Sequence, residues 1–491
     1  MTAPHRSRAY RVPLVLAATL GLVLAATLAL AAPPAARASV ARAIIDTELS
    51  KATSAERARY MAEIGQQLRA RWVRLEVQWP KIEPQQGAYD EAYMASIEEL
   101  VDLAQANGVK VMLTFLYTPK WASDQSLWDD PPRTLNYPKG TYQPFYAPRA
   151  GAVDDFGAMV AHVASRLAGK VAAYEVWNEP NLWMFFYPQQ VEPGDDFALH
   201  RYAGLLRACS TAVKDADPDA LVVAGSTSPI GEGDASTFKK EDRTKPEYWA
   251  RAIMRLGLAP YFDAYAHHPY QPGPDPRAPE SAPKSPATTV TLQNLGTLLA
   301  IIPDNKPFYL TEYGYNTAPS NMFGVTKGLT QAQQADYLRR AYRYAARYPR
   351  VKALFWYLRR DHSPSGNAKD ARGVYTGLRT VTNARKRSWF AFAGGMRLTL
   401  SATSPIRSGA YTKLTGTLTC SRLATATSNG GLSGKQVEAQ RRVDGVWKTV
   451  KTVTTRSGGR YTTWVRLTRD SRLRVVWRGV VSSRTRFVDT R

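Results

Sequence analysis

Three patterns in this 491-residue sequence predict an α/β fold, a (β/α)8 TIM barrel followed by a small all-β immunoglobulin-like sandwich. Short apolar runs alternate with helix-period stretches eight times between about residues 39 and 394. No Gly-rich first turn announces the alternative, a doubly wound open sheet. After Gly394-Gly395 the texture changes to short period-two runs separated by turn residues.

The strands of the barrel are read at Val40–Asp46, Trp72–Val77, Val109–Phe115, Val171–Val176, Ala220–Gly225, Phe262–His267, Pro307–Glu312 and Val351–Tyr357. The first helix follows a capping box at Thr53 and Glu56, with Tyr60, Ile64 and Leu68 on one face. The next spans about Glu91–Asn107 and stops at Gly108. Further helices are expected at 151–168, 197–214, 246–257, 289–302 and 330–348, the last with a capping box at Thr330 and Gln333. A final helical segment is expected near Asn383–Ala393. In the C-terminal region, Met396–Ala402 alternates apolar and polar residues. Similar runs lie near 412–419, 436–442, 446–454, 461–467, 473–477 and 485–488. The domains are therefore expected at 39–394 and 395–491.

Residues 1–38 read as an export signal. Arg6, Arg8 and Arg11 precede an apolar run from Pro13 to Ala32, then Pro33-Pro34 and a small-residue site at Ala36-Arg37-Ala38. An uncleaved anchor is the alternative, because a run of about 20 apolar residues spans a bilayer. The protein is thus expected outside the cell, with cell-wall or membrane association as a variant. Cys209 and Cys420 are expected in different domains and unbridged. No Cys/His cluster has metal-ligand spacing, so neither a metal nor another cofactor is expected.

The net charge of +24 is unevenly placed. Residues 395–491 carry 19 Lys and Arg against 4 Asp and Glu, a net of +15. Such a field attracts polyanions. The partners expected for 395–491 are an anionic cell-wall polymer, an acidic polysaccharide or membrane headgroups, with a merely solubilising surface as the alternative. No nucleic-acid motif accompanies the charge, and a monomer is expected. Twelve Trp and 26 Tyr suggest flat aromatic surfaces for sugar faces, beyond those packed in the core.

Two segments carry the chemistry. In Tyr174-Glu175-Val176-Trp177-Asn178-Glu179-Pro180-Asn181 a strand ends in Asn-Glu-Pro. Pro180 cannot continue the ladder, so Glu179 sits where the chain turns at the barrel mouth. Glu175 shares its face by period two, which by itself decides little. In Phe308-Tyr309-Leu310-Thr311-Glu312-Tyr313-Gly314 an apolar strand again ends in a carboxylate. A barrel brings both strand ends to one cleft. Glycoside cleavage needs such a pair, one carboxyl protonated to donate to the leaving oxygen and one ionised.

With these motifs, residues 39–394 resemble glycoside hydrolases of clan A, the "4/7" barrel superfamily, and look most like families 39 and 5. The resemblance implies a retaining O-glycosyl hydrolase acting on a poly- or oligosaccharide. Glu179 would be the acid/base and Glu312 the nucleophile, with Asn178 beside the acid. Arg74, in Val73-Arg74-Leu75-Glu76-Val77-Gln78-Trp79, matches an arginine that bonds the nucleophile. In Ala266-His267-His268-Pro269-Tyr270 the pattern selects His268 and Tyr270, leaving His267 as a packed neighbour. Trp356 closes strand eight, where the clan places a Trp under the reacting sugar. Trp121, in Thr118-Pro119-Lys120-Trp121-Ala122, matches a substrate loop. Three loops match no substrate signature: 121–149, 271–286, and 181–193 with Trp183, Phe185, Phe186 and Tyr187. The C-terminal region resembles Ig-like modules of secreted actinobacterial proteins, a spacer or wall-adhesion module. A carbohydrate-binding or adhesion protein without hydrolysis is the alternative on the same barrel.

Overall fold

The computed structural model describes residues 40–132, 137–192, 194–233, 243–363, 373–423 and 428–491. The expected leader at 1–38 and Pro193 lie outside these residues. Eight parallel strands close a barrel in sequence order. They are β1 (Ala41–Ile45), β2 (Trp72–Gln78), β3 (Lys110–Leu116), β4 (Ala173–Val176), β5 (Leu221–Thr227), β6 (Ala264–His267), β7 (Phe308–Tyr313) and β8 (Val351–Tyr357). β8 pairs with β1 over five residues and completes the circle.

The outer helices are α1 (Ser54–Ala62), α2 (Glu91–Ala106), α3 (Val153–Arg166), α4 (Phe197–Ala216), α5 (Pro246–Arg255), α6 (Gly296–Leu299), α7 (Gln331–Ala345) and α8 (Arg387–Ala393). Both expected capping boxes form, at Thr53/Glu56 and Thr330/Gln333. Each satisfies two backbone N–H groups that the first turn leaves without partners.

Two helices are shorter than expected. The segment 289–302 coils into only four helical residues, α6. Asn294 is the reason: its side chain accepts from the Thr291 amide and donates to the Thr289 carbonyl. Such local side-chain bonds compete with the helix ladder. α8 begins at Arg387, not near Asn383, because Asn383 takes a left-handed φ of 68° in a turn onto Thr380.

Inside the barrel the strands alternate large and small residues. Trp72, Met112, Val223, Tyr309 and Phe355 fill the axis between Ala43, Ala173, Ala264, Ala266 and Ala353. Trp72 meets Tyr309 edge-on at 5.4 Å. The barrel is plugged, so any ligand must approach at the strand ends.

The C-terminal strands form two antiparallel sheets, the layers of a β-sandwich. One contains β9 (Met396–Leu398), β10 (Ser401–Ala402), β11 (Tyr411–Cys420) and β14 (Arg460–Arg466). The other contains β12 (Gln436–Val443), β13 (Val446–Thr454), β15 (Ser471–Trp477), β16 (Val481–Ser482) and β17 (Arg486–Val488). The expected strand 396–402 is split in two, and β16 had no expected counterpart. Cys209 and Cys420 are both buried free thiols.

This region packs directly on the barrel helices. Trp477 meets Phe390 of α8 at 5.1 Å, and Arg339 of α7 donates to the Val480 carbonyl. Between them Gly479, at φ 78°, would place a Cβ 2.0 Å from the Ala332 carbonyl. Gly479→Ala is therefore expected to cost about 1–3 kcal/mol through overpacking and backbone strain. Calorimetry would read this as a lowered Tm. An unchanged Tm would mean that the junction is loose.

Candidate active site

Above the apolar plug the next inward layer is polar. Arg74 follows Trp72 by two residues on β2, Thr114 follows Met112 on β3, and Glu175 follows Ala173 on β4. The Arg74 guanidinium is buried and divides its donors three ways. Nε donates to Glu175 Oε2 at 2.6 Å, Nη1 to Glu312 Oε1 at 2.9 Å, and Nη2 to Asn178 Oδ1 at 2.8 Å. Thr114 Oγ1 also donates to Glu175 Oε2, at 2.7 Å. Burial alone would raise the Glu175 carboxyl. Arg74, helped by the Thr114 hydroxyl bond, outweighs it and holds this group below the ordinary range.

Period two fails at the end of β4, and the failure builds the site. Trp177 takes a φ of 67° and turns into the outer core. Glu175 and Asn178 both bond Arg74, and Glu179 follows at a φ of 42°. The Glu179 amide donates to the Ser226 carbonyl beyond the strand's own ladder. Ser226 itself sits at φ 48°, and Tyr117 after β3 at φ 68°. Such left-handed non-glycine residues cost about 1–3 kcal/mol each and gather where a side chain must be aimed.

His268, just past β6, connects the two strand-end carboxylates. Its Nδ1 lies 2.9 Å from Glu179 Oε1 and 3.8 Å from Glu312 Oε2. Its Nε2 lies 3.1 Å from Thr311 Oγ1 and 3.2 Å from Ser226 Oγ. Burial pushes the imidazole down to about 4, so it is neutral at pH 7. Tyr270 donates its hydroxyl to Glu312 Oε2 at 3.1 Å.

The two carboxylates therefore differ in company. Glu312 receives a cationic donor from Arg74 and a phenol from Tyr270. Burial still raises its carboxyl above the ordinary range, against the pull of Arg74. Glu179 has a neutral imidazole as its close partner, and burial pushes it up to about 8.

Six of the expected site residues thus converge: Arg74, Asn178, Glu179, His268, Tyr270 and Glu312. Two do not. Trp356 points outward from β8, fully buried against Tyr313, with its indole N–H donated to the Thr376 carbonyl. One-residue alternation explains this: Phe355 faces the axis, so Trp356 cannot. Tyr357 occupies the inward position, where burial and the charges of Glu312 and Glu76 push its phenol up. Trp121 packs on Trp79 and donates to the Glu83 carbonyl, and it makes no bond to either carboxylate. His267 bonds Thr227 and the Val290 carbonyl, as a packed neighbour should.

Sequence reasoning missed the roles of Glu175, Thr114, Thr311 and Ser226. Glu175 left one usable trace, a charge inside an otherwise apolar strand. The aromatic loops after β3 and β4 pack together. Phe145, Tyr146, Trp183 and Tyr187 pack on one another and tie the loops together. Among the described residues no group of three or more His, Cys, Asp or Glu side chains is arranged to hold a metal.

A family model, Cellulase (glycosyl hydrolase family 5), matches residues 43–361, well over half of the chain. The chain belongs to glycosyl hydrolase family 5. Solved structures similar to this family 5 chain carry the same fold at low identity. A family 39 glycoside hydrolase from the gut symbiont Bacteroides cellulosilyticus WH2 matches with a TM-score of 0.50 and 17% identity, over 88% of this chain and 81% of that one. A GH5_18 variant from Streptomyces cattleya, in complex with Manβ1-4GlcNAc, matches at 0.51 and 16%, over 72% and 79%. A GH5_18 from Bifidobacterium longum subsp. infantis matches at 0.50 and 17%, over 72% and 77%. Among curated proteins no match is found.

In this family 5 site Arg74 alone among the described residues pairs with both Glu175 and Glu312. Arg74→Met would leave Glu175 buried and uncompensated, at an expected cost of about 3–5 kcal/mol. Adding Glu175→Gln should recover part of that loss. Urea unfolding of Arg74→Met, Glu175→Gln and the double variant measures the coupling, and simple additivity would show that the pair is not linked.

Proposed function

We propose that the protein is a secreted, retaining O-glycosyl hydrolase, with Glu312 as nucleophile and Glu179 as general acid/base. The observation that carries this is the shared nitrogen of His268. Glu179 Oε1 and Glu312 Oε2 cannot lie farther apart than 2.9 and 3.8 Å laid end to end, and any bend at the nitrogen shortens this. Retaining enzymes hold their carboxyl groups about 5–5.5 Å apart, whereas inverting ones need about 6.5–9.5 Å to admit a water. Only a nearly straight line through that nitrogen would carry the two oxygens to the lower edge of the inverting range, so a bent arrangement supports the retaining reading.

The steps follow from the two environments. Arg74 and Tyr270 favour the ionised form of Glu312, which attacks the anomeric carbon. Protonated Glu179 gives its proton to the glycosidic oxygen as that bond breaks, and the aglycone leaves. Glu179, now ionised, takes a proton from water, which attacks the same carbon and releases Glu312. Asn178, held by Arg74, is placed beside the acid to bond a sugar hydroxyl.

The substrate class is a poly- or oligosaccharide. Residues 39–394 act as the catalytic domain, and 395–491 as an Ig-like module. The basic module is proposed to hold a monomeric enzyme on an anionic cell-wall polymer. The leader at 1–38 directs export.

The pH profile tests the assignment. Activity requires Glu312 ionised, so kcat/KM falls as pH drops through its raised value. It also requires Glu179 protonated, so kcat/KM falls as pH rises through about 8. Glu179→Gln should lose about 10²–10⁴-fold on substrates with poor leaving groups and lose the alkaline limb. Glu312→Gln should abolish turnover. Proton NMR of the first-formed product should show retained anomeric configuration; an inverted product would overturn the mechanism.

A further inference from the structure

The sheet of β9, β10, β11 and β14 has an outward face that the barrel chemistry does not use. Along β14, Tyr461, Thr463 and Val465 are buried while Arg460, Thr462, Trp464 and Arg466 are exposed. Along β11, Thr412 and Leu414 are buried while Tyr411 and Lys413 are exposed. Antiparallel pairing sets Tyr411 opposite Arg466, Lys413 opposite Trp464, and Thr415 opposite Thr462. Opposed side chains stand about 4.5–5.5 Å apart at Cβ and diagonal ones about 7–8 Å. Tyr411 and Trp464 are thus diagonal neighbours, with Lys413 and Arg466 completing the square.

This arrangement is costly for a surface without a partner. Tyr411 is 62% exposed and Trp464 54%, which leaves two large rings in water on one sheet face. The four strands contain no Asp or Glu, so Lys413, Arg460 and Arg466 form a field of one sign. A second copy of the chain is disfavoured, because a two-fold contact would press these cations against themselves.

We propose that this face binds an acidic polysaccharide, a chain of anionic pyranoses. Trp464 and Tyr411 stack on sugar faces, Lys413 and Arg466 meet the carboxylates, and the Thr415 and Thr462 hydroxyls meet sugar hydroxyls. The proposal rests on the reading of the basic module as an anchor on anionic polymer, and it assigns that role to one face. Single-stranded nucleic acid also uses rings with cations. The hydroxyl row and the glycosidase fold on the same chain favour sugar.

The test uses the full chain and immobilised polygalacturonate, with its methyl ester as the control that keeps the pyranose and removes the charge. Wild type should bind the acid form, release with added salt, and bind the ester at least tenfold more weakly. Trp464→Ala and Lys413→Glu should each weaken binding at least tenfold while turnover and Tm stay unchanged, since both positions are exposed. Lys448→Glu/Lys451→Glu, on β13 of the other sheet, should lose much less. If that double variant abolishes binding and the Trp464 and Lys413 variants do not, the anchor reading stands and the face assignment falls. If wild type does not bind polygalacturonate, both fall. Tighter binding to an oligo-dT strand, lost in the same variants, would replace sugar by nucleic acid.

Discussion

The buried Arg74 guanidinium is the interaction on which the rest of the site depends. A charge in the wall of a closed barrel is tolerable only if every donor finds a partner and the net charge is met. Arg74 places one bond from each of its three nitrogens, on Glu175 within β4, Asn178 beyond its end and Glu312 at the end of β7, and two of these acceptors are carboxylates that meet its charge. The planar fork of arginine makes this possible where a lysine would supply one point charge. Glu175 neutralises the guanidinium without itself reaching the cleft. Arg74 can therefore support Glu312 and position Asn178 together, and strand ends far apart in sequence become one geometry.

His268 performs the complementary task from the opposite side. It is neutral, so it orients Glu179 without stabilising its charge, and burial is left to raise that carboxyl. Two chemically identical side chains thereby acquire different proton affinities. The backbone supplies the aim: left-handed residues at Tyr117, Trp177, Glu179 and Ser226 cluster at the ends of β3, β4 and β5. Their strain is borne by the strand pairing and the packed aromatic plug below.

Much of this was legible in the sequence. Each of the eight barrel strands lies within a few residues of its expected position, because hydrophobic runs, capping boxes and Gly or Pro breaks are local signals. Glu179 and Glu312 were legible because a carboxylate at the end of an apolar strand violates the pattern around it. Where a local bond beat the pattern, as Asn294 does within 289–302, the expectation failed. Trp356 failed for another reason: motif position names a residue, but a one-residue phase decides which side of the wall it faces.

The sequence by itself determined the order of strands and helices, the residue types at the strand ends, and the charge imbalance toward the C-terminus. These depend on neighbours a few positions away. The tertiary structure alone decided that Glu175, Asn178 and Glu312 share one arginine and that His268 stands between the two carboxylates. It also decided that Tyr357, not Trp356, faces inward. Those outcomes depend on the register between strands and on burial, and burial is a property of the closed barrel that no local stretch of chain carries.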